Sequence, residues 1–329
     1  MKKRFSVLVS VLLVCAMVLS FASAGDAADS SADQGHYVFQ PKACSVFMKE
    51  VFGDAMVETW ENLVDAVLAG ENTFACPDKH TYDWVMGQFP KHCLPILPEL
   101  IDYAYDRSHA VKNGVASFTW LVSPEEAAAR IADFGEQVEE ILNAALRDDD
   151  SDFEKAAALY NYFCRHYTYD WELYEETREK YVESSPMHLF RTGTGICSEI
   201  APAYSLLLTQ AGVKATTMQG PDHEWSYVRI GGREYHIDPT FVLNSEESLE
   251  YFMMTDEQRA VTGFPGNVCF ITSNYSRDNP HPNYTADDST YSVLWNYSFE
   301  TLLREENKLR CWQYTEGWEK SIFDFSYSE

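Results

Sequence analysis

The sequence predicts an α+β protein in which a helix headed by Cys197 packs on a small antiparallel sheet carrying His223 and Asp238. Three observations lead there. Amphipathic stretches of helical period recur before residue 170, two of them with clear start signals. A glycine loop, Gly193-Thr194-Gly195, runs into an apolar stripe of helical period that ends at Gly212. Beyond it, Val213–Gln219 reads as a strand, and two further strands flank Gly231-Gly232. With 329 residues, 46% of them hydrophobic, the chain has ample material for a packed core, so a wholly disordered protein is excluded. A formal charge of −26 argues against nucleic acid and anionic lipid as partners.

Residues 1–24 read as a secretory signal peptide. Lys2, Lys3 and Arg4 precede an apolar run from Phe5 to Phe21, and Ala22-Ser23-Ala24 supplies small residues for cleavage. The expected mature chain begins at Gly25 and is secreted or held at the cell surface, with no stable membrane insertion after cleavage. Residues 25–35 are small and polar, a flexible leader.

Residues 36–146 are expected to form a mainly helical region. From Cys44 to Ala69 apolar residues recur at steps of three and four, interrupted at Gly53 and stopped at Gly70. Residues 71–98, rich in Pro, Asp, His and Cys, read as irregular with one short helix. Two strands follow, Leu100–Tyr105 and Ala116–Leu121, turned at Asn113-Gly114. Ser123-Pro124-Glu125-Glu126 then opens a helix with an N-cap, a proline at the first helical position and a capping box. Asp148-Asp149-Asp150 reads as a solvated turn before a second capping box, Ser151 with Glu154. The remainder divides into a catalytic core, 147–245, and an extension, 246–329, packed on it.

The chemistry is concentrated in residues 193–240. Cys197 falls at a helix N-terminus, where unpaired N–H groups and the helix dipole favour a thiolate, the form a nucleophile needs. If Gly231-Gly232 is a two-residue turn, Ile230 faces Arg233, and the register sets His223 opposite Thr240 with Asp238 diagonal to it. Val228, Ile230, Tyr235 and Ile237 then share the other face, as a buried face requires. A thiol, an imidazole and a carboxylate are the parts of a nucleophile, a base and the group that orients the base. His236 shares the face of Tyr227 and is the competing base.

In this stretch the sequence resembles the transglutaminase-like superfamily, a branch of the papain-like cysteine enzymes. The resemblance rests on Gly195-Ile196-Cys197, Ala201, Leu206-Leu207, Ala211-Gly212-Val213, His223-Glu224-Trp225, Tyr235 and Ile237-Asp238-Pro239-Thr240, in that order. It implies a papain-like core with Cys197 as nucleophile, His223 as general base and acid, and Asp238 as the orienting carboxylate. Its implied activity is amide acyl transfer through a thioester, expected here as peptidase or amide hydrolase action on proteins or peptides. Protein crosslinking by the same triad, or a non-catalytic surface binding module, are the alternatives. The oxyanion would be held by the Cys197 backbone N–H with Tyr169 or Trp171. Glu224 stands where the family often has a small residue, and Pro202 enters the catalytic helix.

No cofactor or metal is expected. Cys76 with His80, and His92 with Cys93, lack the compact paired spacing of a zinc site. Of eight cysteines, Cys15 lies in the signal peptide, and Cys44, Cys76, Cys93, Cys164, Cys197, Cys269 and Cys311 follow it. In an exported chain the default state of such residues is half a disulfide, and spacing selects no connectivity.

Overall fold

A computed structural model describes residues 37–180, 184–220, 222–245, 247–261 and 284–328. The leader at 1–35 and Cys269 lie outside the described residues. Two short helices open the fold, α1 (Val46–Phe52) and α2 (Asp54–Leu68), parted at Gly53, whose φ of +84° suits glycine. Then come β1 (Thr73–Ala75), α3 (Lys79–Gly87), α4 (Phe89–Cys93), β2 (Ile101–Tyr103), β3 (Val111–Lys112) and β4 (Val115–Trp120). Strands β1, β2 and β3 all pair antiparallel with β4 in a small four-stranded sheet.

This region is more regular than its composition suggests. Asp78 caps α3 by accepting the Thr81 N–H at 2.8 Å, so a stretch rich in Pro, Asp and His still supports helices. The Asn113-Gly114 turn is present with positive φ at both residues, yet it joins β3 to β4 rather than β2 to β4. The two strands expected around it do pair, Ile101 opposite Trp120.

Helix α5 (Pro124–Ala145) starts as the sequence indicates, with the Ser123 hydroxyl accepting the Glu126 N–H. Helix α6 (Asp152–His166) carries a full capping box from Ser151 and Glu154. The acidic run between them is a solvated turn at Asp148 and Asp149, which are exposed, but not at its last residue. Asp150 is buried and paired with Arg304, at 3.0 Å through Nη2. The signal lay 154 residues away, where local patterning carries no trace.

The site-bearing part follows: β5 (Thr168–Tyr169), α7 (Trp171–Glu179), α8 (Pro186–Thr192), β6 (Thr194–Gly195), α9 (Cys197–Gln210), β7 (Lys214–Gln219), β8 (Glu224–Ile230) and β9 (Arg233–Ile237). Strands β7, β8 and β9 form an antiparallel sheet in sequence order. Ile230 stands opposite Arg233 and Tyr227 opposite His236, the register read from the sequence. Helix α9 packs on one face through small polar residues that allow close approach. The Ser205 hydroxyl donates to the Thr216 carbonyl at 2.9 Å, and the Ser226 hydroxyl to the Ala201 carbonyl at 3.1 Å. The opposite face is covered by α1, where Phe47 packs edge-on against Tyr227 and Glu50 pairs with Arg229 at 2.7 Å.

After α10 (Asp256–Val261), strands β10 (Ser298–Leu303), β11 (Lys308–Tyr314) and β12 (Lys320–Ser326) make a three-stranded meander. It rests on α6: the Phe153 ring meets that of Tyr327, tilted, at 4.6 Å between centroids, and the Tyr327 hydroxyl reaches the buried Glu154. Among the described residues no helix is long and apolar enough to cross a membrane.

Candidate functional site

The loop ahead of α9 is built to a narrow tolerance. Gly193 ends α8 with φ +73°, in the left-handed region that glycine occupies without strain. Strand β6 then pairs parallel with β5, and the Asp170 N–H donates to the Gly195 carbonyl at 2.9 Å. A Cβ on Gly195 would come within 3.0 Å of both Glu199 Oε2 and Leu189 Cδ1, so no larger residue fits without displacing them. Glu199 sits in the first turn of α9, and its Oε2 accepts the Ile196 N–H at 3.3 Å, the returning half of a capping box. The carboxylate is buried and also bonded to His188 at 3.0 Å; burial raises its pKa, and the His188 contact opposes the rise. The result is a fixed start to α9 with Cys197 as its first residue, half-buried and open on one side. Pro202 is carried in the helix interior without ending it.

His223 precedes β8 at a bend closed by the Gly220 N–H on its carbonyl at 2.8 Å. Its Nε2 lies 2.6 Å from Asp238 Oδ2, and both side chains are almost wholly buried. Asp238 is held from two sides. Its backbone N–H donates to the Tyr251 carbonyl at 2.9 Å, and its Oδ1 accepts the Thr240 N–H at 3.0 Å. The diagonal pairing of the strands thus delivers the two side chains to each other. The Cys197 side chain is close enough to the imidazole to help raise its pKa. Because Nε2 faces Asp238, Nδ1 is the ring atom left for the sulfur.

Burial by itself would lower the His223 pKa, yet the Asp238 charge and hydrogen bond, with the Cys197 contact added, carry it up to about 10. The imidazolium is therefore the favoured form at neutral pH. Phe241, 43% exposed, flanks the ring at 5.1 Å, and Trp225 lies parallel to it at 6.1 Å. Tyr169, half-buried, is close enough to Cys197 and Asp238 to feel both charges. Burial pushes its phenol well above the usual range, so the hydroxyl stays protonated. Trp171 is 68% exposed, its indole packed on Tyr169 and Tyr174.

Two features escape a reading of the sequence. Glu224, next to His223, is buried and paired with Lys91 of α4, whose Nζ lies 3.2 Å from both carboxylate oxygens. Burial raises the Glu224 pKa, and Lys91 opposes the rise. The pair joins residues 133 apart in the chain, so nothing local announces it. The second feature is the partner set of His236. Its Nδ1 accepts the Trp225 indole N–H at 2.8 Å and its Nε2 faces Asp256 at 2.8 Å, with the ring fully buried. Burial lowers its pKa, which keeps it neutral.

Among the described residues no three His, Cys, Asp or Glu side chains gather as a metal site. Cys76 donates to the Asp78 carbonyl, His80 packs on Trp84, and Cys93 contacts Met48.

Residues 139–246 match the family model described as Transglutaminase-like superfamily. That stretch contains Cys197, His223 and Asp238, and it is a transglutaminase-like domain. The family is one of cysteine-dependent acyltransferases and hydrolases. Among solved structures, one described as "Crystal structure of a TGase" aligns with 16% identity and a TM-score of 0.28, over 40% of this chain and 42% of that one. The chain thus spans less than half the length of that neighbour. No curated protein matches.

Proposed function

We propose that the chain is an exported cysteine-dependent amide hydrolase of the transglutaminase-like type, acting on proteins or peptides. The observation that carries this reading is the meeting of Cys197, at a helix start, with an imidazole locked to a buried carboxylate at 2.6 Å. The core is read as papain-like, a cysteine-headed helix against an antiparallel sheet that supplies the other two groups. Residues 147–245 are taken as the catalytic unit, 36–146 and 246–329 as its supports, and 1–24 as the export signal.

Cys197 reacts as the thiolate, its proton taken up by His223. The sulfur attacks a carboxamide carbon, a C–S bond forms, and the carbonyl oxygen takes the negative charge. The first residue of a helix has a backbone N–H without an intrahelical acceptor, so the Cys197 N–H is the first oxyanion donor. The Tyr169 hydroxyl is the second; exposed Trp171 is assigned no part. The intermediate collapses by breaking the C–N bond while His223 Nδ1 passes its proton to the leaving amine. His223, now neutral, takes a proton from water as its oxygen attacks the thioester, and C–S cleavage restores the thiolate.

The test is a glutamine-containing peptide incubated with and without a small primary amine. Ammonia release should depend on Cys197, be lost in Cys197→Ala, and exceed amine incorporation. Incorporation outrunning hydrolysis would reassign the site to crosslinking. No turnover, together with Cys197 alkylated by iodoacetamide no faster than an ordinary thiol, would leave a binding module.

A further inference from the structure

We propose that Cys44 and Cys93 are the two halves of a disulfide that closes when the protein meets an oxidised thiol, an assignment independent of the chemistry at Cys197. Cys44 lies just ahead of α1, and Cys93 is the last residue of α4. The two sulfurs converge on one thioether. Cys93 Sγ is 3.5 Å from Met48 Sδ, and Cys44 Sγ is 3.8 Å from the same atom. Burial pushes the Cys93 thiol well above its ordinary range, and the neighbouring Cys44 side chain adds to the rise. Cys76 and Cys311, by contrast, turn to the carbonyls of Asp78 and Leu309.

The exposure of the pair sets the order of events. Cys44 is half-buried and open to a reagent, whereas Cys93 is 1% exposed. A low-molecular-weight disulfide such as oxidised glutathione is attacked by the Cys44 thiolate; its S–S bond breaks, one small thiol leaves, and a mixed disulfide remains. Cys93 then gives up its proton and attacks the Cys44 sulfur, expelling the second small thiol. In total two protein thiols and one small disulfide become one protein disulfide and two small thiols. The bond would tie α4, which holds Lys91 against Glu224, to the segment whose Ser45 hydroxyl bonds the Ala215 carbonyl of β7. Met48 is an apolar, polarizable wall to the pair and takes no part in the exchange.

The experiment uses the full chain, treated with oxidised glutathione near neutral pH, alkylated, digested without reductant and mapped by mass spectrometry. The expected result is a linked peptide pair joining Cys44 to Cys93, with Cys197 still alkylated. The melting temperature should rise by about 5 °C or more, and the rise should vanish in Cys44→Ser. Full alkylation of both residues after oxidation, or pairing of either with a different cysteine, would overturn the assignment. So would one equivalent of a soft cation such as Cu(I) retained by the reduced protein through Cys44, Cys93 and Met48. The peptide map of the unaltered chain decides the question even if a serine variant fails to fold.

Discussion

Replacing Asp238 by Asn removes one charge and changes almost no volume, so it isolates what the carboxylate does. Asp238 accepts two hydrogen bonds on different oxygens, from His223 at 2.6 Å and from the Thr240 N–H at 3.0 Å. An asparagine has one acceptor oxygen, so if it keeps the Thr240 N–H its amide N–H faces His223 Nε2, which accepts it only in the neutral tautomer protonated at Nδ1. A hydrogen bond to a charged acceptor contributes about 1.5–3 kcal/mol, a factor of roughly 10–200. The larger loss is electrostatic. The Asp238 charge is the chief force holding the His223 pKa up to about 10 against burial, and without it burial wins. The imidazolium that should face the thiolate at pH 7 is then a minor species. Together these effects predict a fall in kcat/KM of about 10²–10³ at pH 7 for Asp238→Asn. Alkylation of Cys197 by iodoacetamide at the same pH should slow in parallel. Circular dichroism should show the fold retained. A folded variant whose kcat/KM and alkylation rate stay within threefold of the starting protein would refute the ion-pair reasoning.

The same raised pKa makes a stability prediction. The excess stability of the unaltered chain over Asp238→Asn should be full below about pH 6.5 and decline as pH rises through about 10, measured by urea unfolding across that window. Lys91→Met should leave Glu224 as a buried, unpaired carboxylate and cost about 3 kcal/mol near pH 7. That loss should shrink as pH falls and Glu224 takes up a proton, and Glu224→Gln in the same chain should recover most of it; a loss independent of pH would contradict the pairing. Gly195→Ala pushes a methyl against Glu199 and Leu189 and should cost about 1–3 kcal/mol by thermal unfolding. It should also slow Cys197 alkylation, because the capped start of α9 must shift; an unchanged alkylation rate would show that the loop tolerates the methyl.

What could be read from the chain alone was local or periodic. The Gly231-Gly232 turn fixes the hairpin, both residues having positive φ, and a period of two then sets His223 and Asp238 on one face. Cys197 at a helix start followed from a glycine loop leading into an apolar stripe, and the Ser123 and Ser151 caps from short capping patterns. The losses share a different cause. Lys91 with Glu224, and Asp150 with Arg304, each join segments distant in sequence. Charge says that such residues need a partner, and only the folded chain says which. The strands β1 and β3 escaped because two or three residues give no period to read.

Two histidines on one face of one sheet each touch an aspartate, and the contrast between them explains the choice of base. His236 has both ring nitrogens engaged, Nδ1 by the Trp225 indole and Nε2 by Asp256, and no exposed surface. An indole N–H can only donate, so Nδ1 must accept, and a proton added there would lose that bond and meet Arg259, whose charge also disfavours it. The imidazole is thereby held neutral, and Arg259 lies over the same Trp225 ring at 4.5 Å. His223 has one nitrogen on a carboxylate and the other toward a sulfur. Its surroundings favour the charged form. In the proposed reaction, then, Trp225 separates two imidazoles by function: the one behind it braces the sheet, and the one beside it carries the proton.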